Sequence, residues 1–317
     1  MTQPGPVLAI GESLIDLIAT DGGSLVGAST LAIREGGAPM NVAVGLARMG
    51  TASAFCGVVG DDPFGERLRA ILVANGVDVT HLHTTTEAET SVAYAWSDDR
   101  GDGHFRLLRQ ADCRLTATFT RAAVKDLRPA AIVVGSVSTA TPISKLGVFA
   151  AIDTAIEMNI PVVVDLNIRI SQWKSVDRLR RVLPGLLRHA TLIKLSVDDA
   201  REAWGLTDPV AIRRQIGRWN RCPMVITDGS RGVVVFAVES DVSLRFPVFP
   251  VEAIEPTGAG DAFLAGLITR LVGNGWASLA DDDIRFAMAA GAITTTKPGA
   301  LTALPTCAEI EAFLLTV

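Results

Sequence analysis

Residues 131–166 read AIVVGSVSTATPISKLGVFAAIDTAIEMNIPVVVDL. Two short, mostly apolar runs, Ala131–Val137 and Val162–Leu166, bracket a longer segment, Lys145–Met158. The runs do not alternate, and they are rich in Val and Ile, as strands buried on both faces are. The middle segment is too long for a strand and reads as a helix. Strand, helix, strand without a hairpin turn predicts a right-handed parallel crossover.

Working outward, the unit repeats. Thr191–Leu195 and Met224–Thr227 read as further buried strands, with helices over Val176–Arg188 and Ala211–Trp219. On the N-terminal side, Val7–Ile10 and Ala52–Val59 read as strands. Helices Pro39–Met49 and Phe64–Asn75 follow them, each stopped by a glycine, Gly50 and Gly76. Val233–Val238 and Leu244–Val251 read as a hairpin, and Asp261–Leu271, Asp283–Thr295 and Cys307–Leu315 as helices. The alternation predicts an α/β protein: a mostly parallel central sheet with helices on both faces. Ile15–Ala19 and Leu31–Arg34 flank Gly22-Gly23-Ser24 and read as a small hairpin. Thr90–Ser97 and His104–Arg109 alternate around a charged tip at 98–103, which predicts a β-hairpin outside the main sheet.

Composition bounds the function. The 317 residues are 49% apolar and 20% charged, which excludes a disordered or fibrous chain. With 29 basic against 34 acidic residues the formal charge is -5, so nucleic acid and anionic membrane are not expected partners. The longest stretch free of charged, amide and His side chains, Pro129–Ser144, is too short to span a bilayer. The N-terminus has no basic region ahead of an apolar run, so no signal peptide is read. Cys56, Cys113, Cys222 and Cys307 form no CxxC pair, which fits a reducing compartment and a cytoplasmic location. His81 and His83 form an HxH with no ligand cluster nearby, read as a surface loop rather than zinc.

Chemistry concentrates in three glycine clusters. Glu255-Pro-Thr-Gly-Ala-Gly-Asp-Ala-Phe263 feeds Gly258, Ala259 and Gly260 into a helix, which makes an anion site of backbone N–H groups. Asp261 follows at once. A carboxylate there serves binding poorly but suits a general base that takes a hydroxyl proton during phosphoryl transfer. The turn after Met224–Thr227, with Gly229, Ser230 and Gly232, lets backbone approach a phosphate or a base. Gly36-Gly37-Ala38-Pro39-Met40-Asn41 opens another helix, and Asn41 with Asp16 offers the carboxylate and amide that grip vicinal hydroxyls. GxxxxGK[ST] and an early GxGxxG are both absent, which argues against a P-loop enzyme and an NAD-linked oxidoreductase.

Gly36–Ala43 with Gly50, Glu255–Phe263 with Gly266, and Val225–Gly232 resemble, in order, the signatures of the ribokinase/PfkB family of sugar kinases. The resemblance covers essentially the whole chain. It implies a single three-layer α/β/α ribokinase-like domain over 1–317, with a small β-sheet lid from about 12–35 and 88–112. It implies Asp261 as catalytic base, Gly258–Gly260 as the anion hole, and Asp16, Gly36, Gly37, Asn41, Tyr94 and Arg109 around the sugar. Asp165-Leu-Asn-Ile-Arg169 resembles a D-x-N-x-R segment, which places Arg169 near substrate or phosphate. Lys194, Ser196, Asp199, Thr227, Gly229, Ser230 and Gly232 would border ATP and its Mg²⁺, and Ala290 and Thr294 the adenine. Glu255, where the family carries Asp, would with Thr257 and Gly299 adjoin a monovalent cation, K⁺. Lids of this kind often pair, so a homodimer is implied. Leu107-Leu-Arg-Gln-Ala-Asp112 resembles the lid sequence of fructokinases, which favours fructose. The alternatives are a 2-keto-3-deoxygluconate, ribose or nucleoside kinase, or a silent sugar-binding protein on the same fold.

Overall fold

The computed structural model describes residues 5–21, 24–97 and 103–317. The expected turn glycines Gly22 and Gly23 and the hairpin tip 98–102 lie outside them. The strands are β1 (Gly5–Ile10), β2 (Leu14–Ala19), β3 (Leu31–Gly36), β4 (Ser53–Gly60), β5 (Leu82–Thr85), β6 (Val92–Ser97) and β7 (Gly103–Leu108). They continue with β8 (Pro129–Gly135), β9 (Val162–Asp165), β10 (Leu192–Ser196), β11 (Met224–Thr227), β12 (Val233–Phe236) and β13 (Ser243–Phe246). Nine form one sheet in the order β13-β12-β11-β10-β9-β8-β1-β4-β5, and four form another, β3-β2-β6-β7. The large sheet is parallel except where β12 and β13 turn back.

Side chains of the central strands point alternately into two cores. Val7 and Ala9 of β1 join the core beneath α1 (Ala38–Arg48), while Leu8 and Ile10 join the opposite one. Helices α2 (Pro63–Ala74), α8 (Ala259–Gly273) and α9 (Asp281–Thr295) lie on the α1 side. Helices α3 (Ala117–Leu127), α4 (Pro142–Glu157), α5 (Val176–Leu187), α6 (Val197–Trp204) and α7 (Pro209–Ile216) lie on the other. The result is the three-layer α/β/α arrangement. Among the described residues no helix is long and apolar enough to cross a membrane, and all four cysteines are free thiols.

Three expectations change. The segment with His81 and His83 is not a surface loop: Leu82–Thr85 is the edge strand of the large sheet. His81 is buried, and the His83 ring stacks on Phe119 at 3.7 Å between centroids. A neutral imidazole packs like an aromatic, so a polar reading of HxH misjudged it. The strand expected at Leu244–Val251 stops at Phe246, just before Pro247, which with Pro250 keeps the following stretch out of the ladder. Helices α3 and α6 were not anticipated.

The two hairpins form the separate small sheet. Its register is informative: Asp16 stands opposite Ala93, which stands opposite Leu107, whereas Tyr94 aligns with Leu17 and Arg106. Aligned residues share a face and successive ones alternate. Tyr94 is therefore on the face opposite Asp16.

Candidate active site

Chain crossings at the carboxyl ends of the parallel strands bring the three glycine clusters together, where open α/β sheets bind ligands. Gly258 caps α8 with φ 81°, and a Cβ there would lie 2.8 Å from the Ala300 Cα. Only glycine fits that contact and that backbone. The Ala259 N–H is spent on the Pro256 carbonyl at 3.2 Å. Gly260 and Asp261 are first-turn residues, whose N–H groups have no intrahelical acceptor. The N–H groups left free for an anion are those of Gly260 and Asp261, not that of Ala259.

Asp261 is half-buried, and its Oδ2 accepts a hydrogen bond from Asn41 Nδ2 at 2.8 Å. This bond joins the N-terminal and C-terminal glycine clusters, 220 residues apart in sequence. Burial pushes the Asp261 carboxyl up to about 6, against the Asn41 bond and the Lys194 charge. It is ionised at neutral pH yet basic enough to accept a proton, as a general base requires.

Lys194 in the middle of β10 sits opposite Asp165 at the end of β9, with Nζ 2.9 Å from Oδ2 and both side chains buried. The ammonium lies 3.1 Å from where a Gly260 Cβ would be, so it faces the start of α8. Burial works against its charge, but Asp165, Asp199 and Asp261 hold its pKa above the usual lysine value. Asp165 Oδ1 is buried and unpartnered. Asp199 is more committed. Its Oδ2 accepts from the Ser196 N–H at 2.7 Å, Ser196 Oγ accepts from the Asp199 N–H, and Oδ1 accepts from the Ile168 N–H at 2.6 Å. This acid caps α6 and ties down the loop after β9 while facing the site.

From Gly260 a cavity of about 680 Å³ runs outward. Arg169, Lys194, Ser196 and Asp199 border it, then Thr227, Gly229, Ser230 and Gly232. Its far wall is apolar, from Val248–Val251 and Met288. Arg169 thus borders this cavity together with the Gly229–Gly232 turn. Ala290 and Thr294 do not reach the cavity. Both are fully buried, and Thr294 Oγ1 bonds back to the Ala290 carbonyl. The stripe of α9 that lines the cavity is Met288, Gly291, Ala292 and Thr295, one register away.

On the other side of Asp261, Asp16 projects from β2. Its Oδ1 is buried without a partner, and burial and the Glu255 charge push its pKa up to about 7. A Cβ on Gly36 would come 2.3 Å from Asp16 Oδ2, and one on Gly37 2.5 Å from the Glu12 carbonyl. Glycine at both positions lets the strand and α1 close around the carboxylate. Arg109 is drawn inward instead of standing free. Its Nε donates to Asp112 Oδ2 at 2.6 Å and its Nη1 to the Val137 carbonyl at 2.5 Å. Glu255 Oε2 accepts from the Gly299 N–H at 2.9 Å, and Thr257 is exposed nearby in sequence.

Reading the sequence gave no role to Asp165, Glu12 and Asp112, although Asp165 and Asp112 stand in motifs it quoted. A signal existed: each is a lone acid at the end of an apolar strand or beside a strand root, and buried lone acids mark sites.

A family model described as pfkB family carbohydrate kinase matches residues 6–307. The chain is 36% identical over 310 residues to a fructokinase of Klebsiella pneumoniae, covering 95% of this chain and 96% of that protein. It is 33% identical to fructokinase-1 of Zea mays, covering 96% of each. Among solved structures, a fructokinase of Vibrio cholerae O395 in a fructose, ADP and calcium ion bound form superposes with a TM-score of 0.82 at 29% identity, covering 98% and 99%. A fructokinase of Xylella fastidiosa with bound ATP gives 0.85 at 27%, covering 98% of each chain.

Proposed function

The chain belongs to the pfkB family of carbohydrate kinases, phosphotransferases acting on a sugar hydroxyl, and on that premise we propose that it transfers the γ-phosphoryl of ATP to a primary hydroxyl of fructose. The observation that carries the chemistry is Asp261, a carboxylate raised to about 6 directly beside the free N–H groups of a helix start. The sugar sits between Asp261 and the small sheet, its hydroxyls held by Asp16, Asn41 and the Gly36–Gly37 backbone. Asp261 takes the proton of the attacking hydroxyl. The first-turn N–H groups and the Lys194 ammonium stabilise the charge on the transferring phosphoryl. ATP lies along the cavity past Arg169 and Gly229–Gly232.

The donor set fits a divalent cation held mainly by nucleotide oxygens and water. Among the described residues no three His, Cys, Asp or Glu are grouped so as to hold a metal ion, yet Asp165, paired with Lys194 through Oδ2, keeps Oδ1 unpartnered as one hard oxygen. When bound, Mg²⁺ neutralises phosphate charge. For K⁺, one Glu255 oxygen is already given to Gly299, so the pocket with Thr257 and Gly299 is a weaker cradle; turnover in KCl against NaCl decides it. The four-stranded sheet acts as a lid that excludes water. Leu31 and Leu108 leave apolar surface uncovered on it, the basis for pairing of two lids in a homodimer, which light scattering tests. The free thiols suit a cytoplasmic location.

The neutral sugar is favoured over a sugar acid because Asp16 repels a carboxylate and Arg109 is already paired. The test is Asp261→Asn. It should still bind ATP and fructose while turnover falls about 10²–10⁴-fold. Turnover near that of the wild type would remove Asp261 as base.

A further inference from the structure

The Arg109 guanidinium is enclosed at the root of the lid, its side chain 5% exposed. Arg109 follows Leu107 by two residues, and Leu107 shares the sugar-facing side with Asp16. Asp112 is fully buried beside it, with Oδ2 on Nε and Oδ1 accepting from Ser91 Oγ at 2.5 Å. Ser91 Oγ in turn accepts from the Gln110 N–H at 2.8 Å. This web fixes Asp112 across the end of β7 and the start of β6. Glu12 is the other acid facing the guanidinium. It is buried, takes a hydrogen bond from Ser138 Oγ at 2.6 Å, and burial pushes it toward its neutral form. Asp112, at hydrogen-bond distance from Nε, is the acid paired directly with the guanidinium. One guanidinium nitrogen makes no aligned hydrogen bond: Nη2 lies 2.5 Å from the same Asp112 oxygen.

A buried guanidinium without a counter-ion is costly, and it binds a carboxylate bidentately when one is offered. We propose that Asp112 is a specificity-determining residue: it gives Arg109 the internal carboxylate that the arginine would otherwise draw from the substrate, and so sets the enzyme for a neutral sugar. The inference rests on the sugar-kinase reading above. It is selection against a substrate class by occupying the site's cation in advance. Removing the Asp112 charge exposes Arg109 to an acidic sugar, and removing Arg109 as well takes the advantage away.

The experiment compares kcat/KM for fructose and for 2-keto-3-deoxygluconate at saturating MgATP. In Asp112→Asn the ratio of sugar acid to fructose should rise by at least about tenfold, and adding Arg109→Met should return it to the wild-type value. A folded Asp112→Asn enzyme whose ratio moves less than about threefold overturns the proposal. Asp112→Asn leaves a buried guanidinium without its counter-ion and costs stability, so a second variant, Arg109→Met/Asp112→Leu, replaces the whole pair with apolar side chains, which buried ion pairs often tolerate. Its ratio of sugar acid to fructose should equal that of the wild type, whatever its absolute rate, and a ratio raised about tenfold or more without the arginine would also overturn the proposal. The wild-type enzyme separates the two levels. No turnover of fructose defeats the functional reading, whereas good turnover with an unmoved ratio defeats this inference alone.

Discussion

Asn41→Leu should move the acid limb of the pH–rate profile upward. The amide donates to Asp261 Oδ2 at 2.8 Å inside a nearly closed contact, and it opposes the burial that raises Asp261 to about 6. A hydrogen bond to a charged group is worth about 1.5–3 kcal/mol, and one pK unit is about 1.4 kcal/mol. Losing the bond therefore lifts the limb by about 1–2 units. At pH ~6.5 the wild type is about three-quarters ionised, and the variant about a quarter or less, so the loss is about threefold or more. It should be recovered by pH ~9, where both forms carry the ionised base. The assay is kcat/KM for ATP at saturating fructose, so that weaker sugar binding by the variant does not enter. An unmoved limb, a downward shift, or a wild-type limb near pH ~4 would refute the reasoning.

Asp16→Asn should raise Tm at pH ~8 and raise KM for the sugar. The Asp16 pKa is raised to about 7 in the folded protein, so folding is favoured by its protonated form and that advantage is lost as pH rises through ~7. Thermal melts at pH ~5, where the wild-type carboxyl is also protonated, should show little gain. Gly36→Ala would set a methyl 2.3 Å from Asp16 Oδ2, so KM for fructose should rise about tenfold or more while KM for ATP stays put in steady-state kinetics. Gly260→Val crowds the Lys194 ammonium, 3.1 Å from the Cβ position, and the phosphate path. Turnover should collapse by at least about a hundredfold in a protein whose circular dichroism is unchanged.

Most of the fold was legible because burial on both faces leaves a plain trace: β8, β9, β10 and β11 are runs of Val, Ile and Leu. The lid hairpin of β6 and β7 was legible for the opposite reason, since half-exposed strands alternate. What escaped was decided by partners far away in sequence. β5 is short and polar, and becomes a strand only because β4 lies beside it. Helix α6 begins with the capping box of Ser196 and Asp199, residues that the sequence offered equally to a phosphate network. The glycine clusters pointed to the candidate site, but not to which stripe of α9 faces the cavity, nor which face of β6 carries Tyr94. Those depend on register, and a one-residue slip reverses them. The pairing of Arg109 with Asp112 was hidden because two charges three residues apart look solvated until burial is known.

The central claim is that Asp261, Asn41 and the start of α8 form a phosphoryl-transfer site for a neutral hexose. The most direct measurement is ADP release from MgATP by the purified wild-type protein against a panel of about a dozen sugars and sugar acids, each at the same concentration. The account predicts ADP formation that depends on added sugar, is fastest with fructose, and disappears in Asp261→Asn. ADP release that ignores the sugar, or a sugar acid turned over faster than fructose, would contradict it.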